Sequence, residues 1–453
     1  MAVAPRRLLD FARMSTPSEP AAAASSLRPP DRARPGRWLA LFAVALFLRG
    51  GYAWIASGPG TVPYSDPAHY DEIAWNLARG EGYALGSGTN VRPTAYRPPA
   101  LPWITSLVYR AAGHRYDLAV LLQAVIGATV PLLVVALGAA LFGAGVGWLA
   151  GWLAAFHPLI VFFSGHLLTE NLFTALILLA LLLGVRWVSA PRGGLALATG
   201  IAWGLASLAR PLALLLPVVL VLWGWSALGR AAGARGRAAQ VGLLILGLVL
   251  AVGPWTLRNA RVFDAFVPVS TNSGRVLLEG YNPRSWDDPA LRGGGAIDVT
   301  AEPYATLIAL PEVEADRRAR AEAIRFARSR AGELPHIALA RLARFWRWSA
   351  EGGGTGAWQR EGSLPRRIAA RIDPVRVWSL VVFPLALWGV FLILRSPPRG
   401  YRSLPLLVMA YFSLLAMVFW GGLRPRAPIE PLIVLVAAAG AADLHRRLRV
   451  RAP

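Results

Sequence analysis

The side chains in this chain that could do chemistry gather in and around one polar stretch, residues 64–102, reading YSDPAHYDEIAWNLARGEGYALGSGTNVRPTAYRPPALP. Asp66 leads it. Ser65-Asp66-Pro67 reads as an ordinary helix start, with Asp at the N-cap and Pro at the first helical position. What raises Asp66 above a cap is company: on the helix that follows, His69 and Tyr70 fall three and four residues on, over the same face. Asp71 and Glu72 add acidity, although acidic residues in a first turn also suit the helix dipole. Arg97, in RPTAYRPPALP, is a candidate for pointing into the same pocket. Its Pro-bounded segment enters an apolar helix with Trp103, Leu107 and Tyr109, an interfacial anchor.

Further along, Glu170 in SGHLLTENLFTALILLALLL is expected four residues inside an apolar run. A carboxylate there is expensive and usually faces a cavity or a partner. Asp66, His69, His166 and Glu170 are the candidate oxygen and imidazole ligands for a metal, but no fixed-spacing motif such as HExxH accompanies them. The sequence requires no cofactor, and a divalent metal is compatible with it. Four arginines complete the set: Arg49, Arg210 in GLASLARPLALLLP, and Arg424 with Arg426 in GGLRPRAPIEPLIVL. Guanidinium binds phosphate oxygens with a bidentate fork, so arginines collected on one face suggest an anionic ligand. The plainer reading is that each pairs with an acid or a lipid headgroup.

Elements that could hold such groups follow from composition. Of 453 residues, 55% are hydrophobic and 16% charged, with 18 Trp, which places the chain among all-α polytopic membrane proteins. With no Cys, disulfides, thiolate metal sites and Cys nucleophiles are excluded. Apolar runs near twenty residues fall at about 38–57, 117–141, 144–163, 167–188, 194–210, 212–228, 239–256, 376–394, 403–421 and 428–443. Ten spans, within a range of 8–12, is the working count.

Net charge of +22 would suggest nucleic acid in a soluble chain, so its placement decides the matter. Threading ten spans from a cytoplasmic N-terminus puts Arg186 and Arg192; Arg230, Arg235 and Arg237; Arg395, Arg399 and Arg402; and Arg446 to Arg451 inside, as the positive-inside rule requires. Basic charge is therefore mostly a topology signal, and no nucleic acid is expected. The same threading puts Asp66, His166, Arg210, the 257–375 segment and the turn before 428 outside. Fourteen of the 25 acidic residues lie in that segment.

The organisation predicted is a mobile basic tail (1–36), an N-terminal membrane module (37–256) with an outer loop (58–116), an extracytoplasmic loop domain (257–375), and a C-terminal membrane module with a basic cytoplasmic tail (376–453). Within the loop domain, LPHIALARLARFWRWS near 335–349 spaces Leu339, Leu342, Phe345 and Trp346 between Arg341, Arg344 and Arg347, the pattern of a helix in the headgroup plane. N- and C-termini would be cytoplasmic, in the cytoplasmic (inner) membrane.

Taken in order from about 48 to 435, the chain resembles the membrane glycosyltransferases of the GT-C superfamily, specifically bacterial protein-mannosyltransferase and aminoarabinose-transferase-like enzymes. The likeness is carried by the acidic first outer loop ending in RPP, HPLIVFFSGHLLTENLF, GLASLARP, PWTLRNARVFDAFVPVSTNSG and RPRAPIEP. The resemblance implies a GT-C-type helix bundle and an inverting transfer of a sugar from a polyprenyl-phosphate carrier to a lipid, glycan or protein hydroxyl, outside the membrane. Asp66 matches the family's first-loop catalytic Asp, and Arg424 and Arg426 match the basic pair before the last span that handles lipid phosphate, with Arg210 a further donor-phosphate candidate.

Asp66 is followed by Pro where many relatives carry a second acid, so Asp71 or Glu170 is expected in that role. The late motif lacks an aromatic residue after its first Arg. Some relatives place an acceptor-recognition domain after the last span; none is expected here, so the 257–375 segment would have to recognise the acceptor. The rival reading is a polytopic transporter or flippase of lipid-linked or anionic substrates, which would place its charges at mid-membrane depth.

Overall fold

The computed structural model describes residues 35–228, 233–298, 300–349, 373–395 and 401–451. The expected basic tail, but for its last two residues, and the 350–372 part of the outer segment lie outside the described residues. α1 (Pro35–Ser57) leads to α2 (Asp66–Arg79), a two-stranded antiparallel ribbon (β1, Ala84–Leu85; β2, Arg92–Pro93) and α3 (Ala100–Ala112). Then come α4 (Tyr116–Phe142), α5 (Ala144–Ala155), α6 (Pro158–Phe163), α7 (Glu170–Ser189), α8 (Gly193–Ala209), α9 (Leu216–Ala227) and α10 (Gly233–Phe263). A polar layer follows: α11 (Ser273–Gly280), α12 (Pro283–Asp287), α13 (Tyr304–Ile308), α14 (Glu312–Ser329) and α15 (Leu334–Phe345). α16 (Pro374–Arg395), α17 (Leu404–Val418), α18 (Leu423–Arg426) and α19 (Glu430–Arg451) return to apolar sequence.

Among the described residues six helices are long and apolar enough to cross a bilayer, and four shorter apolar helices stand with them, so each of the ten runs is helical. The fold is that of an all-α, multi-pass membrane protein. Two boundaries differ from expectation. The run 144–163 is cut at His157, because Pro158 lacks the N–H that would continue the helix and instead starts α6. The run 167–188 begins at Glu170, so that carboxylate sits in the first turn of α7, where the helix dipole favours it, rather than four residues inside a span.

Close helix crossings are made where small residues let backbones meet. A Cβ on Gly200 of α8 would stand 1.9 Å from the Leu244 carbonyl oxygen of α10, and one on Gly247 only 2.3 Å from that of Leu197. Gly389 of α16 and Gly440 of α19 meet the partner helix's carbonyls at Val436 and Leu385 in the same way. α19 is the central helix: the run 432–438 is buried all round.

The polar layer is tied to the first loop by one carboxylate. Glu312, first residue of α14, accepts from Thr94 Oγ1 at 2.6 Å, from the Ala95 amide at 2.8 Å and from Thr271 Oγ1. Arg258 of α10 holds the same loop by donating to the carbonyls of Thr94 (2.7 Å) and Tyr83 (3.0 Å). The helix expected in the headgroup plane exists as α15. Leu339 is exposed, while Phe345 and Arg341 are buried, with Arg341 donating to the carbonyls of Met417, Val418 and Gly280. One guanidinium thereby serves two helix C-termini at once, those of α17 and α11.

Candidate active site

Asp66 is the first residue of α2, not its N-cap. Ser65 takes the cap position at φ 57°, a left-handed conformation that costs a residue bearing a Cβ about 1–3 kcal/mol, and makes no capping bond. The Asp66 carboxylate bonds outward instead. Oδ1 accepts from Arg97 Nη2, and Oδ2 from Arg424 Nη1 at 2.7 Å. Arg424 reaches on: its Nε donates to Glu170 Oε1 at 2.5 Å, which also accepts from Arg210 Nη2 at 2.7 Å, while Arg210 Nε donates to Thr169 Oγ1 at 3.0 Å. Glu170 is 1% exposed, and its Oε2 accepts no hydrogen bond among the described residues.

Each member comes from a different chain segment at the same end of the bundle: the start of α2, the loop before α3, the start of α7, the residue ending α8, and α18. Three guanidiniums and two carboxylates make one network with a formal charge of +1. Paired charges stay ionised away from bulk water, and the surplus positive charge suits an anion.

Burial alone would raise the Asp66 carboxyl, but Arg424 and Arg97 more than reverse it and hold the group well below the usual carboxylate range. His69 Nδ1 lies 3.0 Å from Arg97 Nη2, and burial together with that guanidinium lowers the imidazole to about 4. It is neutral near pH 7. Tyr70 is buried under Arg97, whose guanidinium also covers Tyr96 at 4.8 Å, and Tyr96 meets His69 edge-on. Asp66, His69, Tyr70, Arg97, Glu170, Arg210 and Arg424 are thus brought together.

Four other candidates are not. Asp71 turns to α3 and its end, accepting from Tyr109 Oη and lying 3.0 Å from His114 Nε2, because five residues along a helix is the wrong spacing to share Asp66's face. Of the two acids proposed as second carboxylate, Glu170 is the one that joins Asp66. Arg49 is wholly buried and donates to the carbonyls of Ala45, Ala154 and Ala155, closing the end of α5 where Pro158 interrupts the chain. Arg426, expected on lipid phosphate, is also wholly buried. It pairs with Glu430 at 2.6 Å and donates to the carbonyls of Phe345 (2.9 Å) and Arg347 (2.6 Å). Arg424 and Arg426 are two residues apart on a helical turn, so they point to different sides.

His166 packs at a tilt against Phe162, with Nδ1 3.1 Å from that residue's carbonyl oxygen. Among the described residues no three His, Asp or Glu side chains converge on a point where a metal would sit.

Sequence reading missed a neighbouring group. Arg275 and Glu279 of α11 face the same loop: Arg275 Nη1 donates to Tyr96 Oη, and its Nε to Glu279 Oε1 at 3.1 Å. Their i, i+4 spacing was available as a signal.

Residues 96–255, about a third of the chain, match the family model described as dolichyl-phosphate-mannose-protein mannosyltransferase. Archaeal oligosaccharyltransferase AglB from Archaeoglobus fulgidus, in complex with an inhibitory peptide and a dolichol-phosphate, superimposes with a TM-score of 0.55 at 12% identity, over 92% of this chain and 51% of that one. The apo form of the Archaeoglobus fulgidus enzyme gives 0.56 at 13% identity over 93% and 52%. ArnT from Cupriavidus metallidurans bound to undecaprenyl phosphate gives 0.41 at 17% identity over 91% and 79%, too loose a likeness to argue from. No curated protein shows a significant match in sequence. The chain spans about half the length of the archaeal enzymes, and what it shares with them is the fold.

Proposed function

We propose that this GT-C-fold membrane protein is a glycosyltransferase that moves a sugar from a polyprenyl-phosphate donor to a hydroxyl acceptor at the outer face of the cytoplasmic membrane. The observation that carries the reading is Arg424 bridging Asp66 and Glu170 in a network with one positive charge to spare. The phosphodiester that joins sugar to prenyl carrier brings the anion that such a network lacks. Support over a transporter comes from depth: the charges gather where helices start and stop, not in their middles.

With both oxygens held by guanidiniums, Asp66 is a poor base. A donor phosphate competes for Arg424 and Arg97 and returns basicity to the carboxylate. The acceptor hydroxyl then attacks the anomeric carbon from the face opposite the phosphate. The new C–O bond forms as the old one breaks, the leaving electron pair goes to phosphate oxygen, and the hydroxyl proton goes to Asp66. Arg424, Arg97 and Arg210 stabilise the developing phosphate charge, work that in other enzymes a divalent cation shares. The geometry expected is inversion. The prenyl chain would lie along the apolar groove of about 470 Å³ between α1, α4 and α7, lined by Thr129, Leu133, Leu172 and Leu176.

Purified protein incubated with polyprenyl-phosphate sugars should consume the donor, and Asp66→Asn should not. Equal turnover by the variant would remove Asp66 from the chemistry.

A further inference from the structure

The charged pair Arg275 and Glu279 lies beside the network without belonging to it. α11, which carries both, is fixed at its two ends. At its start the Gly274 amide donates to Asp316 Oδ1 at 2.5 Å, and a Cβ on Gly274 would stand 1.9 Å from the Asp316 carbonyl oxygen. At its end Arg341 Nη2 donates to the Gly280 carbonyl at 2.6 Å, and a Cβ on Gly280 would stand 2.1 Å from the Phe419 carbonyl oxygen. No bulkier residue fits at either position, so the helix is seated against α14 on one side and the end of α17 on the other. Positions 275 and 279, one turn apart, are presented together.

What they are presented to is the first loop beside Asp66. Arg275 donates to Tyr96 Oη, and its guanidinium lies over the rings of Tyr96 (5.8 Å) and Tyr304 (5.3 Å). Tyr96 precedes Arg97, the residue that holds Asp66 Oδ1. The Glu279 side chain keeps 21% of its surface open and that of Arg275 29%. Glu279 Oε2 accepts no hydrogen bond among the described residues. Burial pushes the Glu279 carboxyl up, against the pull of Arg275, and the Asp66 charge adds to that rise, so the two carboxylates sense one another across the same space.

A purely structural pair would close on itself or turn to solvent. This one is seated rigidly, aimed at the catalytic loop, and left with open hydrogen-bonding capacity. A half-open carboxylate, a guanidinium and two tyrosines form a surface that suits a polyhydroxylated ring: the carboxylate accepts from adjacent hydroxyls, the guanidinium donates, and aromatic faces take the C–H side of the ring. Phosphate, by contrast, is already served by Arg424, Arg97 and Arg210.

We propose that Arg275, Glu279 and Tyr96 form the subsite that reads the hydroxyls of the transferred sugar, so that the polar layer sets which sugar is accepted while the guanidinium network sets that it arrives on a phosphate. The proposal rests on the transfer reading given above and deepens it.

Two measurements test it on the full-length protein in detergent. One is the affinity for bare polyprenyl phosphate, which carries no sugar. The other is kcat/KM across a panel of polyprenyl-phosphate hexoses and pentoses. Glu279→Gln should leave the bare lipid's affinity within about twofold of wild type, lower kcat/KM for the preferred sugar by about tenfold or more, and change the ranking within the panel. An equal loss on every sugar with the ranking kept, or a matching loss of affinity for the bare lipid, overturns the subsite. Should Glu279→Gln not fold, Tyr96→Phe, which removes one hydroxyl and keeps the ring, must alter the ranking instead. Failure of the transfer reading looks different: wild type would not bind the bare lipid, or Arg424→Gln would bind it equally well.

Discussion

Arg424 Nη1 stands 2.7 Å from Asp66 Oδ2 although 358 residues separate them, and the same guanidinium's Nε stands 2.5 Å from Glu170 Oε1. One planar fork therefore holds two carboxylates at a fixed angle. Lysine could reach one of them as a point charge, but not both. Arg424→Lys should therefore cut donor turnover about 100-fold or more. The melting temperature should move little, since Asp66 keeps Arg97 and Glu170 keeps Arg210. Donor consumption beside a thermal melt checks both halves, and near-normal turnover by the lysine variant would show that the fork is not what matters.

The sequence reading reached this network only in part, for reasons that particular residues make plain. Apolar runs locate membrane helices because bilayer thickness sets their length, so the six long apolar helices and the four shorter ones were legible, while the break before Pro158 was not. Asp66, Glu170 and Arg424 were legible as charges in places where charge is expensive. Sequence does not reveal which of two neighbouring arginines turns inward: Arg424 and Arg426 carry the same motif signal, and a half-turn of helix decides between them. Arg49 looked like a site residue for the same reason that it is a structural one, a charge inside a span that must find partners. Arg275 and Glu279 escaped because a segment rich in mixed charge offers many i, i+4 pairs, and only the placement of α11 separates this one from those on α14.

Arg426 and Glu430 make a separate prediction. Both are fully buried, and His157 Nε2 stands 3.2 Å from Glu430 Oε2. Arg426→Met leaves a buried carboxylate without its main partner, a loss of about 3–5 kcal/mol. Replacing both, Arg426→Met with Glu430→Leu, removes the stranded charge and should recover most of the melting temperature. Affinity for polyprenyl phosphate should survive in the double variant, which is where Arg426 and Arg424 part company.

Glu312 should control the first loop at a distance. Its carboxylate takes three hydrogen bonds from Thr94, Ala95 and Thr271, and Thr94 and Ala95 lie within three residues of Arg97. Glu312→Ala removes all three while touching none of the network's charges. Amide hydrogen exchange across residues 92–99 should rise, and turnover should fall about tenfold through misplacement of Arg97. Exchange unchanged over that stretch would mean that Arg258, which holds the Thr94 carbonyl, suffices alone.

Asp66 carries a pH signature whose sign is fixed by its partners. Burial favours the neutral acid, yet Arg424 and Arg97 together hold the group ionised well below the ordinary range, so its folded pKa lies beneath the unfolded value of about 4. Ionised Asp66 then contributes stability that is fully present above about pH 4 and is lost as pH falls toward the folded value, because the unfolded chain takes up the proton first. The wild-type melting temperature should therefore drop between pH 5 and pH 3 more steeply than that of Asp66→Asn, whichever protein melts higher at neutral pH. Saturating polyprenyl phosphate draws Arg424 and Arg97 toward the lipid anion, which raises the Asp66 carboxyl and should shrink the difference between the two slopes. Parallel slopes with and without the lipid would mean that the phosphate does not compete with Asp66 for its guanidiniums, and the order of events proposed for transfer would have to be redrawn.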